Sequence, residues 1–224
     1  MIIDKPELRE ETAVFKSREQ AGKVLAEMLK DFTGTEAVVL AIPAGGIPVA
    51  AVISENLKLP LAVAVVSKIT FPWDTEAGFG AVAFDGTVQL NEQLVRMVEM
   101  NKIEQQLQIE LARKKVKRRT EQFAELAIMP DLKNKTVILV DDGVASGFTI
   151  KVAAASVRSM KPARIIIAAP TGYRQALEQL DKEVEEVYCP NVRGGPTFAV
   201  ANAYKNWYDV NEKEAIEILK RITG

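Results

Sequence analysis

Apolar residues along this chain alternate between two patterns. Short continuous runs, Val38 to Ile42, Leu61 to Val66, Thr136 to Val140, Ile165 to Ala169 and Val184 to Cys189, read as strands buried on both faces. Between them apolar positions recur three to five residues apart, the spacing of helices with one buried side. Ser17-Arg18-Glu19-Gln20 is a capping box opening a helix to about Asp31, with Ala21, Val24, Leu25, Met28 and Leu29 on one face. A small-residue helix follows from Ile47 to about Leu57. The longest helical pattern runs from Glu92 to about Leu126, with Leu94, Val98, Ile103, Leu107 and Leu111 as its apolar stripe. Further helices are expected after Thr149 to about Met160, from Tyr173 to Leu180, and at the end of the chain, where Asn211-x-x-Glu214 is a capping pair. Asp85-Gly86 marks a tight turn between Ala81–Phe84 and Val88–Leu90. Pro190 to Tyr208, with Gly194-Gly195-Pro196, reads as an irregular lid. Strands alternating with helices predict an α/β fold with a doubly wound, mainly parallel sheet.

Composition narrows the chemistry. The 224 residues carry 48% apolar and 26% charged side chains, ordinary globular values that exclude a disordered chain. A single domain spanning 1–224 is expected, with a core at about 33–190 and a hood from about 1–16 and 190–210. The 29 basic and 30 acidic residues sum to −1, so no global field favours nucleic acid or an anionic membrane. A lone cysteine, Cys189, fits a reducing, cytoplasmic setting and reads as a buried small hydrophobe. No apolar run is long enough for a membrane span, and Met1 to Glu10 does not resemble a signal peptide. There is no histidine. Ser-His-Asp and Cys-His nucleophiles and His-bound zinc are therefore excluded. Carboxylates, Lys and Arg, hydroxyls, backbone N–H groups or a substrate-borne metal must do any chemistry.

The segment Val137-Ile138-Leu139-Val140-Asp141-Asp142-Gly143-Val144-Ala145-Ser146-Gly147-Phe148-Thr149 concentrates the candidates. Its apolar run drives a strand to the carboxyl edge of the sheet, where ligands of open α/β sheets bind. Asp141 and Asp142 emerge there, and two carboxylates suit vicinal hydroxyls such as those of a ribose. The turn Gly143 to Thr149 opens a helix and aims several N–H groups at one phosphate. A plain capped strand–turn–helix with solvated aspartates is the alternative. The turn is neither a nucleoside-triphosphate loop, which needs Gly-Lys-Ser/Thr, nor a dinucleotide fingerprint.

Residues 137–149 resemble the phosphoribosyl diphosphate-binding motif of the type I phosphoribosyltransferases. Phe15-Lys16-Ser17-Arg18-Glu19-Gln20-Ala21-Gly22, Pro43-Ala44-Gly45-Gly46-Ile47-Pro48-Val49-Ala50 and Glu76-Ala77-Gly78-Phe79-Gly80-Ala81-Val82 are similar to segments of a bacterial and archaeal branch of that family with unassigned acceptor, as is the tail Phe198 to Tyr204. The resemblance implies a Rossmann-like core and Mg²⁺-dependent transfer of ribose 5-phosphate from phosphoribosyl diphosphate to a nitrogenous base. It implies that Asp141 and Asp142 hold the ribose hydroxyls and that Gly143, Val144, Ala145, Ser146, Gly147, Phe148 and Thr149 wrap the 5-phosphate. The turn Ala44-Gly45-Gly46 is implied to bind pyrophosphate, often through a cis peptide. Mg²⁺ would ride on the diphosphate, near Asp141 and Asp142, with no dedicated protein cage.

Three positions depart from or refine that pattern. The branch usually carries Arg at the places of Ala44 and Ser67, leaving Lys68 as the expected diphosphate contact. Either Arg113–Arg119 or Arg193 would have to reach in, or the diphosphate is held more weakly, or the acceptor or donor differs from the family norm. Ala145 stands where 6-oxopurine transferases carry a carboxylate, which disfavours hypoxanthine and guanine. Glu76 is the leading spare carboxylate, as a base or a contact to a Mg²⁺-bound water. Phe198, Trp207 and Tyr208 are candidates to stack on a base.

The basic stretch Arg113, Lys114, Lys115, Lys117, Arg118, Arg119 has three readings. It is a solvated helix face partnered by Glu110 and Glu121, a diphosphate contact across a dimer interface, or a nucleic-acid surface, the last not expected at this net charge. The long helix suggests a homo-oligomer. The alternative function is a non-catalytic sensor that binds a phosphoribosyl ligand and regulates RNA, DNA or a protein partner.

Overall fold

The computed structural model describes residues 1–223, apart from the side chains of residues 75, 76 and 223. The chain runs β1 (Ile2–Ile3), α1 (Arg18–Met28), β2 (Val38–Ala41), α2 (Gly46–Leu57), β3 (Leu61–Val63), β4 (Val66–Phe71), β5 (Asp74–Ala83), β6 (Val88–Leu90), α3 (Glu92–Met97) and α4 (Lys102–Ala124). It continues through β7 (Thr136–Val140), α5 (Phe148–Ser159), β8 (Arg164–Ala168), β9 (Thr171–Tyr173), α6 (Arg174–Leu180), β10 (Glu186–Tyr188), β11 (Asn191–Arg193) and α7 (Glu212–Thr223).

The continuous apolar runs become the parallel sheet β1-β10-β8-β7-β2-β3. Each interior strand is covered on both faces, as its lack of alternation requires. Val39 and Ala41 pack with residues of α1, α2 and α7, while Val38 and Leu40 pack with residues of α5 and α6. The doubly wound α/β architecture is therefore as expected. Strand order reverses between β2 and β7, so the loops leaving those two strands meet at the sheet's switch point, where such folds bind ligands. No described helix is long and apolar enough to cross a membrane.

Several expectations need correction. The run Leu61–Val66 splits after Val63. Its second part starts the antiparallel sheet β4-β5-β6, whose last turn is at Asp85-Gly86 as anticipated. The helix expected over Glu92–Leu126 breaks after Met97, where Glu99 takes a positive φ of 49° and Asn101 caps α4 through Glu104 N–H. The stripe read as its buried face is exposed: Ile103 is 84%, Leu107 57% and Leu111 51% accessible. Ile109, Ala112, Val116, Arg119 and Phe123 are buried instead. The segment 1–16, expected in the hood, begins with an edge strand of the main sheet, Ile2–Ile3 beside β10. The lid from Pro190 contains β11, paired with β9.

Candidate functional site

β2 and β7 deliver their loops side by side. Ile42 N–H donates to the Val140 carbonyl at 2.8 Å, which ties the two strand ends together. The Pro43–Ala44 peptide that follows is cis, as the resemblance implied. Gly45 then lies directly against the acidic pair: a Cβ there would sit 2.1 Å from Asp142 Oδ2. Gly46 starts α2 against the Val140 carbonyl. The turn 44–46 and the acids 141–142, far apart in sequence, are thus in contact.

Beyond the acids the loop is fixed at two points and open between them. Val144 N–H donates to the Thr171 carbonyl at 2.9 Å, and Tyr173 N–H donates to the Val144 carbonyl at 2.8 Å. Gly147, at φ 73°, is the N-cap of α5, a conformation that favours glycine. The N–H groups of Ala145, Ser146 and Gly147 donate to no protein group among the described residues. Together with the start of α5 they form a concave set of donors suited to an anion. A cleft of about 160 Å³ lies over them, lined by Lys68, Asp141, residues 143–147, Thr149 and Ile150. Phe148 is half-buried at the first position of α5 and does not line this cleft. Val200 of the C-terminal segment closes over Gly143.

Burial, and then the neighbouring Asp142 carboxylate, push the Asp141 carboxyl well above the usual carboxylate range. Burial also raises Asp142, against the pull of the Arg18 guanidinium. Arg18 Nε donates to Asp142 Oδ2 at 2.8 Å, and Nη2 lies 2.7 Å from the same oxygen. This arrangement makes Asp142 the ionised member and Asp141 the one that more readily keeps a proton. Burial, followed by the charge of Asp142, raises the Tyr204 hydroxyl far above its usual range, so it stays protonated and donates to the Asp142 carbonyl at 2.6 Å.

The structure sorts the remaining candidates. Lys68 is exposed on β4 and reaches the cleft, its stem running over Gly78. Ser67 is buried. Strand alternation puts it with Val82 on the face that α4 covers, away from Lys68. A longer side chain at position 67 would face α4, so this departure takes nothing from the cleft. Ala44 packs on the core beside the turn and leaves that position without a charged group. The Glu76 side chain lies outside the described residues.

Neither basic candidate supplies a replacement. Arg193 is buried and spent on the Ala199 carbonyl and the Phe198 ring. The α4 cations sit over the opposite face of β4, with Arg113 paired to Glu110 and Lys117 4.0 Å from Glu121. The guanidinium beside the acids is Arg18, which the sequence showed within a helix cap and within the segment 15–22 that resembles the family branch, but with no role assigned to it. Of the candidate stacking rings, Trp207 and Tyr208 surround that guanidinium, while Phe198 packs on Tyr173. Cys189 is fully buried, and that burial raises its thiol far above the ordinary range.

The donor set fits a substrate-borne Mg²⁺. Among the described residues no three metal-binding side chains cluster. One adjacent carboxylate pair at the mouth of an anion cleft fits a cation that keeps several waters and arrives on a diphosphate.

A family described as phosphoribosyl transferase domain matches residues 85–202. Two Mycobacterium tuberculosis proteins (strains CDC 1551 / Oshkosh and ATCC 25618 / H37Rv), provisionally named phosphoribosyl transferases, are each 32% identical over 213 residues. The match covers 93% of this chain and 47% of each relative, so the chain spans about half the length of those proteins. The crystal structure of TT1426 from Thermus thermophilus has 29% sequence identity and a TM-score of 0.76, covering 94% of this chain and 99% of that one.

Proposed function

Because this chain belongs to the phosphoribosyl transferase domain family, we propose that it transfers ribose 5-phosphate from phosphoribosyl diphosphate to a nitrogen nucleophile and releases pyrophosphate. The observation that carries this reading is the meeting of Asp141 and Asp142, the donor turn 143–149 and the Gly45-Gly46 turn at one switch point.

In this reading the N–H groups of 145–147 and the start of α5 hold the 5-phosphate. Asp141 and Asp142 accept from the two ribose hydroxyls and favour the electron-poor sugar that forms as the C1–O bond lengthens. Lys68 faces the departing diphosphate, and Ala44-Gly45-Gly46 lets the backbone approach it closely. Asp141 and Asp142 would be the residues nearest a Mg²⁺ carried on the diphosphate, which would supply the charge neutralisation that a diphosphate leaving group needs. The Glu76 carboxylate is assigned to take the proton that the acceptor loses, or to hold a water in that region. Ala145 offers no carboxylate to a 6-oxopurine, which favours an acceptor of the adenine type.

Incubation with phosphoribosyl diphosphate, Mg²⁺ and a panel of bases should release pyrophosphate. Asp141→Asn with Asp142→Asn should lower that release by about 10²-fold or more, the scale of a misplaced reacting group. No release with any base, and no heat of donor binding, would refute the proposal. A second reading, a sensor that binds the donor without turnover, is favoured by the uncharged Ala44 in the pyrophosphate turn. Donor binding with no pyrophosphate release from any base would support that one.

A further inference from the structure

Arg18 takes no part in the steps above, yet it is only 4% exposed beside the acidic pair. Two of its nitrogens address a single oxygen, Asp142 Oδ2. The third, Nη1, donates to the Tyr208 carbonyl at 2.8 Å. The guanidinium carbon, Cζ, lies over the Trp207 ring 4.0 Å from its centre, with the Tyr208 and Tyr204 rings at 5.5 and 5.8 Å. The Tyr204 hydroxyl, in turn, holds the Asp142 carbonyl. Asp142 is therefore gripped at its side chain by α1 and at its main chain by the C-terminal segment, and Arg18 joins those two grips.

We propose that Arg18 is a positioning residue that latches the segment 204–208 onto Asp142 and leaves Oδ1, not Oδ2, to face the sugar. The inference rests on the sugar-phosphate reading of the site for its second half only. A planar guanidinium can lie over Trp207 while the fixed fork at its edge donates in two directions, a geometry that the compact ammonium of lysine does not hold in place. Occupancy of Asp142 and the seating of 204–208 then share one group, so each biases the other. A segment held merely by packing would not transmit such a bias.

Trp207 provides the readout. The other tryptophan, Trp73, is exposed on the β4–β5 hairpin, where it stacks on Phe71, so Trp73→Phe leaves Trp207 as the single reporter. In this ligand-free parent, Arg18→Gln should increase acrylamide quenching of Trp207 while circular dichroism stays unchanged. Arg18→Lys, which keeps the charge and loses the fork, should also increase it, and it carries the test if the glutamine variant does not fold. Calorimetric titration with ribose 5-phosphate should be about tenfold weaker for Arg18→Gln, the loss of one charge-assisted contact, with Arg18→Lys between it and the parent. Unchanged quenching in a folded variant overturns the latch. Increased quenching with parental affinity overturns the positioning of Asp142. A parent that binds no ribose 5-phosphate overturns both the sugar-phosphate reading and the Oδ1 assignment, and quenching still decides the latch.

Discussion

Asp141 and Asp142 are neighbours in one turn, yet neutralising them should move stability in opposite directions. The folded pKa of Asp141 stands above its ordinary 3.8, chiefly through burial. Between those two values the native state holds a proton that the unfolded chain has released, so stability falls as pH rises through that window. Asp141→Asn removes that burden. It should unfold at higher urea than the parent near neutral pH, with a smaller loss of stability as pH rises above the ordinary carboxylate range, while losing sugar binding. Asp142 instead compensates the buried Arg18 cation. Asp142→Asn strands that charge and should cost about 3 kcal/mol in the same urea titration. Equal effects from the two substitutions would contradict the assignment of the charge to Asp142. Arg18 itself could not be singled out from sequence. It stands at the first position of a helix behind a serine cap, where arginines are ordinarily solvated, and its partner lies 124 residues away.

At the scale of elements, α4 shows how apolar spacing misleads. Ile103, Leu107 and Leu111 recur every four residues and so mimic a buried stripe, but they face solvent. The face packed on β4 and β5 includes Ala112 and Arg119, which weaken its apolar signal. Arg119 there has an opposite charge beside it, Glu212 Oε1 of α7 lying 3.0 Å from its Nε without the alignment of a hydrogen bond, a pairing invisible to local pattern. Phe123→Ala should therefore cost about 3–5 kcal/mol in chemical denaturation, and Leu107→Ala about 0.5 kcal/mol or less. The reverse order would restore the periodicity reading. The break before α4 went unread in the same way, although Asn101-x-x-Glu104 repeats the Asn211-x-x-Glu214 pattern that correctly starts α7: a continuous helical spacing on both sides hid the cap. Continuous runs such as Val38–Ala41 and Thr136–Val140 were legible because double burial removes alternation altogether. The split at Val63 was not, since Leu61 to Val66 is apolar without interruption and only the change of sheet separates β3 from the start of β4.

Over the whole molecule, the acidic turn depends on a joint between segments near opposite ends of the described chain. Phe15 N–H donates to the Ala203 carbonyl at 2.9 Å, Lys205 N–H returns to the Phe15 carbonyl at 2.7 Å, and the Phe15 and Tyr204 rings pack at 5.7 Å. Phe15, Ala21, Ala203 and Tyr204 form a small core of their own, separate from the two clusters that flank the main sheet. The outer end of that core is the Tyr204 hydroxyl on Asp142. Phe15→Ala should therefore do two things at once. It should cost about 3 kcal/mol or more through the cavity it leaves, and it should weaken ribose 5-phosphate binding although Phe15 is absent from the cleft lining. Phe123→Ala is the matched control, because it empties a comparable volume in the core under α4 with no connection to Tyr204. Calorimetry on both variants, at a temperature where each is folded, separates the outcomes. Weakened binding in Phe15→Ala alone means that this joint sets the geometry of the acids, and equal weakening in both would reduce it to general loss of stability.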